Sequence, residues 1–141
     1  MKENIAIAHM KVAYIYANLS YCVRRKVGCV IVKHNSIIAI GYNGTPSGEE
    51  NVCEDINGNT KTNVIHAEDN ALRKLTKRTE SAENSVMFVT TSPCMLCAPR
   101  ILDAGIKKVY FVEKYKKDDG IKYLQKKGIE IIQLPIKNFI K

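Results

Sequence analysis

The alternation of helix and strand patterns in the second half of the chain restricts its fold more than any other feature. Helix-favouring segments cover residues 67–75, 95–104 and 118–127, and apolar, β-branched segments cover residues 86–91, 108–112 and 129–134. Strands that alternate with helices are joined by crossover connections and pair in parallel. The second half therefore predicts a parallel sheet with helices packed against it.

The first half predicts one helix followed by an antiparallel hairpin. Residues 4–18 carry apolar side chains at three- and four-residue intervals, the pattern of an amphipathic helix: Ile5, Ala8, Val12, Ile15 and Leu19. Residues 27–32 and 37–42 are β-branched runs separated by the polar residues 33–36. The two halves together predict the α/β class, with a three-layer α/β/α sandwich around a central mixed five-stranded sheet.

A polar segment of about twenty residues, 43–63, follows the predicted hairpin. It opens with a run of strong turn formers, Asn43-Gly44-Thr45-Pro46-Ser47-Gly48. A loop of this length inside a compact domain is usually functional. No internal repeat or low-complexity linker divides the 141 residues, so we expect a single domain over residues 1–141.

Composition restricts the class of the chain and its compartment. Hydrophobic residues make up 45% and charged residues 26%, which is ordinary for a folded domain and excludes the disordered class. No secretory signal pattern opens the chain and no apolar run reaches about 18 residues, so we expect a cytoplasmic protein without a membrane partner. Five cysteines in such a setting indicate reduced thiols or metal ligands rather than disulfides. We expect Cys22, Cys29 and Cys53 to be reduced, partly buried thiols.

The positive charge of the chain is concentrated at one end. The net charge is +8, and residues 107–141 carry ten lysines against four acidic residues. Such a surface would attract polyanions or steer a phosphorylated substrate, but a solvated lysine-rich face is the commoner explanation. Charge alone therefore does not identify a partner.

Two short motifs at the starts of predicted helices indicate a metal site. They are His66-Ala67-Glu68 and Pro93-Cys94-Met95-Leu96-Cys97. Two cysteines three residues apart at a helix start can direct both sulfurs to one point, and the helix dipole favours their thiolate forms. The imidazole of His66 adds a third ligand. Three protein ligands are typical of catalytic zinc, because a structural site closes its shell with four.

Glu68 has the position expected of a general acid and base. Zinc lowers the pKa of a bound water toward about 7, which supplies a nucleophile for C4 of a cytosine ring. A carboxylate beside the metal can then move protons from that water to N3 and to the departing amine. The combination of His-x-Glu with Pro-Cys-x-x-Cys is typical of zinc nucleobase deaminases. Two alternatives are a thioredoxin-like redox pair for the cysteines and a helix-stabilising first-turn acid for Glu68.

In its order of elements the chain resembles the cytidine and deoxycytidylate deaminase superfamily over nearly its whole length. The motif pair identifies the superfamily. The stretch Gly41-Tyr42-Asn43-Gly44-Thr45-Pro46-Ser47-Gly48, preceded by Lys26-Val27-Gly28-Cys29-Val30-Ile31-Val32, resembles deoxycytidylate deaminases in particular. This resemblance implies hydrolytic deamination of deoxycytidine monophosphate (dCMP) to deoxyuridine monophosphate (dUMP) and ammonia, with one catalytic zinc.

The resemblance also implies roles for residues outside the two motifs. Asn43 would hydrogen-bond the substrate sugar, and the backbone of Ala67 would help to hold the base. In regulated members Gly41, Tyr42, Asn43 and Gly44 belong to the region that binds nucleotide triphosphate effectors, here dCTP and dTTP, with Mg²⁺. Members of the superfamily are commonly homo-oligomers, and we expect the same here.

A nucleotide substrate requires cations for its phosphate. Arg24 and Arg25 precede the first predicted strand and are the main candidates, with Arg100 as a third. Ordinary surface charge is the alternative explanation for these residues.

Some deoxycytidylate deaminases carry a second, structural zinc, and Cys22 and Cys53 match two of its ligands. No histidine lies between Cys53 and His66, where that site requires one. We therefore do not expect a second zinc.

Three other functions remain open from the sequence. A transfer-RNA adenosine deaminase shares both motifs and would use the basic end of the chain, although the stretch after Gly41 argues against it. A deaminase of dCTP or of another free cytosine nucleotide is the second. A non-catalytic zinc protein, for which Glu68 would be dispensable, is the third.

Overall fold

The computed structural model describes residues 1–140, and these contain four α-helices and five strands. In chain order they are α1 Glu3–Ala17, β1 Gly28–Lys33, β2 Ser36–Tyr42, α2 Ala67–Leu75, β3 Val86–Thr91, α3 Ala98–Asp103, β4 Lys108–Glu113, α4 Asp119–Lys126 and β5 Glu130–Gln133. A short 3₁₀ turn follows at Ile136–Asn138. No helix among the described residues is long and apolar enough to cross a membrane.

The five strands form one mixed sheet in the order β2-β1-β3-β4-β5. β1 pairs antiparallel with both β2 and β3, while β3, β4 and β5 are parallel. The hairpin between β1 and β2 turns at His34 and Asn35, which both have positive φ, as a two-residue type I′ turn requires. The predicted hairpin and the predicted parallel pairing of the last three strands are confirmed.

The sheet is covered on both faces, which confirms the three-layer sandwich. Alternate residues of each strand point to opposite sides. Val30 and Val32 of β1 belong to the cluster that contains the buried face of α1. Cys29 and Ile31 belong to the cluster formed with α2, α3 and α4. The candidate site residues of α2 and of the segment before α3 therefore lie on the same side of the sheet.

The predicted buried face of α1 is wrong. The residues that pack on the sheet are Ala6, Met10, Ala13 and Ala17. Most of the predicted stripe faces outward instead, with Ile15 63% and Leu19 57% exposed, while Val12 is half-buried against the core. The reason is a close approach between helix and strand: a Cβ at Gly28 would collide with the carbonyl of Ala13. At this spacing small side chains fit, and large β-branched ones do not.

A pair of alanine-to-leucine variants in α1 tests this assignment. Ala13 is fully buried and Ala8 is exposed on the same helix. Ala13→Leu should lower the free energy of unfolding by about 2 kcal/mol, because extra methylenes overpack the interface. Ala8→Leu should change it by no more than about 0.5 kcal/mol. Urea denaturation of both variants measures the difference, and equal effects would contradict the assignment.

The helix predicted over residues 95–104 begins later than expected, at Ala98. The preceding residues form a turn, in which the backbone N–H groups of Cys97 and Ala98 both donate to the carbonyl oxygen of Cys94. Proline at the second helical position, Pro99, suits a helix that starts here. Cys94 therefore lies in the turn before the helix, and Cys97 caps it.

Cys22 and Cys53 form a disulfide, so the prediction of reduced thiols is wrong for these two residues. Their Cα atoms lie 5.1 Å apart, within the range that a bridge requires. The two cysteines come from irregular segments separated by 31 residues, and no local pattern indicates that the segments meet. Cys29 is a free, buried thiol, as expected. A carboxylate oxygen of Glu54 and the two sulfurs lie within 4.8 Å of one another, and the expected lack of a second zinc stays a prediction.

Candidate active site

His66, Cys94 and Cys97 lie together although they come from two separate segments. The Nδ1 atom of His66 is 3.4 Å from Sγ of Cys94 and 3.3 Å from Sγ of Cys97. His66 is the N-cap residue of α2, and the cysteines belong to the turn that connects β3 to α3. The crossover order of the sheet brings these two helix starts to one place.

The three donor atoms fit a zinc ion. Zinc binds histidine nitrogen at about 2.0–2.1 Å and cysteine sulfur at about 2.3 Å, so a tetrahedral site separates nitrogen from sulfur by about 3.5 Å. The measured separations are within a few tenths of an ångström of that value. Among the described residues this cluster of His, Cys, Asp and Glu donors holds these three and no fourth. Three protein ligands leave one position for a water molecule or substrate.

Hydrogen bonds within the cluster prepare Cys94 for metal binding. A hydrogen bond from Cys97 is the main cause that lowers the pKa of Cys94 to about 3, and His66 acts in the same direction. The same hydrogen bond retains a proton on Cys97 and raises its pKa. Contact with Cys94 raises the pKa of His66 as well. The lowered pKa favours the thiolate of Cys94, which is the form that binds zinc, and binding of the ion at Cys97 would release the proton of that thiol.

Glu68 is buried beside the cluster without belonging to it. It lies in the first turn of α2 and is only 4% exposed. No lysine or arginine within residues 1–140 forms an ion pair with its carboxylate. Burial is the main cause that raises the pKa of Glu68 to about 7. A carboxyl group with such a pKa can both accept and return a proton near neutral pH.

A cavity of about 400 Å³ connects this cluster with the predicted phosphate and sugar residues. Its walls include, from the two motifs, His66, Ala67, Glu68 and Cys94, and from the segments flanking the hairpin, Arg24, Arg25 and Asn43. Its volume is in the range of small-molecule sites. A more open depression of about 560 Å³ near Glu113 and Gln133 contains none of the predicted site residues.

The cavity also has walls that sequence reasoning missed. They include Glu54, Thr60 and Val64 from the connection between β2 and α2, and Ser92, Tyr115 and Lys116, which follow the ends of β3 and β4. Parallel strands present their carboxyl ends at one edge of a sheet, which is the usual place for ligands in α/β folds. That rule is the one signal that would have indicated the residues after β3 and β4.

The side chain of Asn43, which is predicted to contact the substrate sugar, also makes two hydrogen bonds to the backbone. Its Oδ1 accepts a hydrogen bond of 2.9 Å from the backbone N–H of Val27. Its Nδ2 donates one of 2.8 Å to the carbonyl oxygen of Arg25. Asn43 therefore fixes the backbone of the arginine-containing segment, a role that the sequence did not indicate.

The three candidate arginines differ in position. Arg24 and Arg25 line the cavity, and the guanidinium of Arg25 lies 5.6 Å from the ring centroid of Tyr115. Arg100 is not among the lining residues, and the structure does not support it as a phosphate ligand. Its guanidinium instead donates to the carboxylate of Asp69 at 2.8 Å.

The similarity of the chain to known proteins identifies its family. Residues 3–113 match the family model of the cytidine and deoxycytidylate deaminase zinc-binding region. The chain belongs to this deaminase family. The matched region includes His66, Glu68, Cys94 and Cys97, so the family's zinc-binding region contains the cluster described above.

Relatives of this deaminase-family chain include named deoxycytidylate deaminases. The enzyme of Saccharomyces cerevisiae is 36% identical over 88% of this chain and 43% of its own length. That of Enterobacteria phage T4 is 32% identical over 94% of this chain and 91% of its own. The crystal structure of the cyanophage S-TIM5 dCMP deaminase with dCMP and dUMP matches at 47% identity and a TM-score of 0.93, covering 95% of this chain and 99% of that one. The chain thus spans less than half of the yeast relative but nearly all of the cyanophage protein.

In this deaminase-family chain, the residues predicted as an effector region are the last two residues of β2 and the first two of the loop that leads to α2. A Cβ at Gly41 would collide with the α2 backbone, so glycine permits the close packing of helix on strand. The side-chain amide of Asn70 donates to the carbonyl oxygen of Tyr42 at 2.8 Å. Gly44 pairs with Ile65 in an isolated bridge directly before His66. These contacts fix the start of α2, and with it the histidine of the metal cluster.

Proposed function

We propose that this chain catalyses the zinc-dependent hydrolytic deamination of dCMP to dUMP and ammonia, within a single domain over residues 1–141. The observation that carries the proposal is one cavity that joins the His66, Cys94 and Glu68 group to Arg24 and Arg25. The first group provides the chemistry of amine removal, and the second provides charge for a phosphate. The similarity to dCMP deaminases, including one solved with dCMP and dUMP, supports this choice of substrate.

His66, Cys94 and Cys97 hold the zinc ion in this proposal. The bound ion supplies Lewis acidity, which lowers the pKa of a water molecule at the open position. Glu68 accepts the proton that this water loses and transfers it to N3 of the cytosine ring. Once the hydroxyl oxygen is bonded to C4, Glu68 takes the second proton from that hydroxyl and delivers it to the amine. The bond between C4 and the amine nitrogen breaks as the C4 carbonyl forms, and ammonia leaves.

Ala67 and Asn43 position the nucleoside. Ala67 is fully buried in the cavity wall between the metal ligand His66 and Glu68, where its backbone can contact the base. Asn43 uses one Nδ2 hydrogen and one Oδ1 lone pair for the backbone. An asparagine amide has two N–H hydrogens and two oxygen lone pairs, so one of each remains for the sugar.

Arg24 and Arg25 bind the phosphate, with Lys116 as an additional cation on the same cavity. Arg25→Ala should therefore reduce kcat/KM for dCMP roughly tenfold or more while changing that for deoxycytidine by less than about twofold, since a charge-assisted contact to a phosphate is lost. Arg100→Ala is the matched control, because Arg100 binds Asp69 outside the cavity. A loss of equal size for both substrates in Arg25→Ala would contradict the phosphate role.

The decisive test of the function is a substrate panel followed by ultraviolet absorbance. The zinc-loaded chain is given dCMP, dCTP, deoxycytidine and a transfer RNA, with and without a chelator. Chelator-sensitive formation of dUMP, with dCMP preferred over deoxycytidine and dCTP, supports the proposal. Preference for dCTP would make the chain a triphosphate deaminase, and inosine in the transfer RNA alone would identify an adenosine deaminase.

We also propose that the chain forms homo-oligomers through the outward face of α1. Ile5 and Ile15 are exposed on this face at the spacing of a helix-packing stripe, and exposed Leu19 follows two residues after the end of α1. Sedimentation should give a mass that is a multiple of 15.9 kDa. Regulation by dCTP and dTTP with Mg²⁺, and a cytoplasmic location, stay predictions.

A further inference from the structure

The two arginines of the cavity lie in a segment that has no regular structure to hold it. Residues 18–27 connect α1 to β1 and lie outside any helix or strand. The side chain next to the arginines does not anchor them either, because Val23 is 85% exposed. The position of Arg24 and Arg25 must therefore depend on contacts from other parts of the chain.

Glu54 of the long loop makes such a contact. Its Oε2 accepts hydrogen bonds from the backbone N–H groups of Val23 and Arg24, each at 3.1 Å. The preceding residue, Cys53, is bonded to Cys22. Through the disulfide and these hydrogen bonds, Cys53 and Glu54 thus contact residues 22–24, in the segment that carries the two arginines. On the other side of the arginines, Asn43 holds the backbone as described above.

A carboxylate in this place contradicts simple charge complementarity. Glu54 lines the cavity together with Arg24 and Arg25, so it adds negative charge near the phosphate of the proposed substrate. If its charge acted only through space, it would weaken phosphate binding. Its two backbone hydrogen bonds give it a different task, since an ionised acceptor forms stronger hydrogen bonds than a neutral one.

We infer that Glu54 is a positioning residue that fixes the backbone of Arg24 and so sets the preference for a phosphorylated substrate. It does not touch the reacting atoms. The inference rests on the proposed function, in which the arginines bind the phosphate. It deepens that function by assigning phosphate selectivity to a loop residue of opposite charge.

The two explanations of Glu54 predict opposite signs. Under the positioning role, Glu54→Ala frees the segment and raises KM for dCMP about tenfold, with kcat nearly unchanged and deoxycytidine kinetics within about twofold. Under a purely electrostatic role, the same change removes a repulsive charge and lowers KM for dCMP. Glu54→Gln keeps an oxygen acceptor but forms weaker hydrogen bonds, so its KM for dCMP should lie between those of the unchanged protein and Glu54→Ala.

The experiment uses the full zinc-loaded chain in four forms: unchanged, Glu54→Ala, Glu54→Gln and Glu49→Ala. Glu49 is the matched control, because it lies in the same loop but bonds Asn63 within that loop. Steady-state kinetics on dCMP and deoxycytidine are combined with calorimetric binding of dUMP and deoxyuridine, which does not depend on turnover. We expect weaker dUMP binding in Glu54→Ala, partial recovery in Glu54→Gln and no change in Glu49→Ala.

Two results would overturn this inference and leave the proposed function standing. One is a lower KM for dCMP in Glu54→Ala, and the other is an equal change for phosphorylated and unphosphorylated ligands. A chain that does not distinguish dCMP from deoxycytidine before any substitution would instead remove the phosphate part of the proposed function, and this inference with it. The unchanged protein therefore separates the two failures.

Discussion

Glu68→Gln should lower kcat for dCMP by roughly 10³-fold, within the range attributed to a positioned general acid and base. Glutamine has nearly the same shape but cannot carry protons between water, N3 and the departing amine. Zinc content should stay at one ion per chain, because Glu68 is not part of the cluster of donor atoms. Metal analysis and steady-state kinetics on the same preparation measure both quantities.

The chain offers a matched control for this substitution. Glu3 occupies the first turn of α1 as Glu68 occupies the first turn of α2, and Glu3 is exposed. Glu3→Gln removes a favourable interaction with the dipole of α1 and changes no residue of the cavity. Its turnover should remain within about twofold of the unchanged protein. If Glu68→Gln behaved like Glu3→Gln, the carboxylate would be a helix-stabilising acid and the catalytic role would be wrong.

Cys97→Ser should abolish both zinc binding and turnover. Serine hydroxyl is a poor replacement for thiolate, which is the ligand that zinc prefers in such sites, and two remaining ligands do not retain the ion. The expected result is a fall in zinc from one ion per chain to roughly a tenth or less, with dCMP deamination below detection. Plasma emission spectrometry after gel filtration measures the metal directly.

Cys29→Ser controls for the loss of a buried cysteine. Cys29 is fully buried in β1, and burial raises the pKa of its thiol, so it stays protonated and does not bind metal. This variant should retain zinc although its stability falls, because a buried hydroxyl replaces an apolar thiol. Zinc retained in Cys97→Ser, or lost from both variants equally, would contradict the assignment of the ligands.

Local sequence patterns predicted the helices, the strands and the metal cluster well, because each of these depends on residues that are close together in the sequence. α2 and β3 have the predicted bounds, and the hairpin and the parallel pairing of the last three strands are as predicted. His66 and the two cysteines, Cys94 and Cys97, were identifiable because each motif lies at or just before a helix start, where backbone geometry fixes the direction of the side chains. The ligand preferences of zinc then restricted which side chains could form the metal site.

The errors share one physical cause, which is contact between distant parts of the chain. The buried face of α1 depends on how closely Ala13 approaches Gly28, and an alanine stripe has little hydrophobic contrast. The bridge of Cys22 with Cys53 depends on two irregular segments whose meeting has no local signal. Glu54 and Lys116 reach the cavity for the same reason, and their sequence neighbours gave no indication of it.

The long loop after β2 has a consequence for the evolution of such enzymes. The metal ligands start from helix ends that the sheet fixes, whereas Glu54, Thr60 and Val64 come from residues without regular structure. Insertions and replacements in loops disturb a fold little. The metal site and its general acid and base can thus be retained while the loop changes in sequence. Members of a lineage can then acquire different nucleotide preferences and keep the same deamination chemistry.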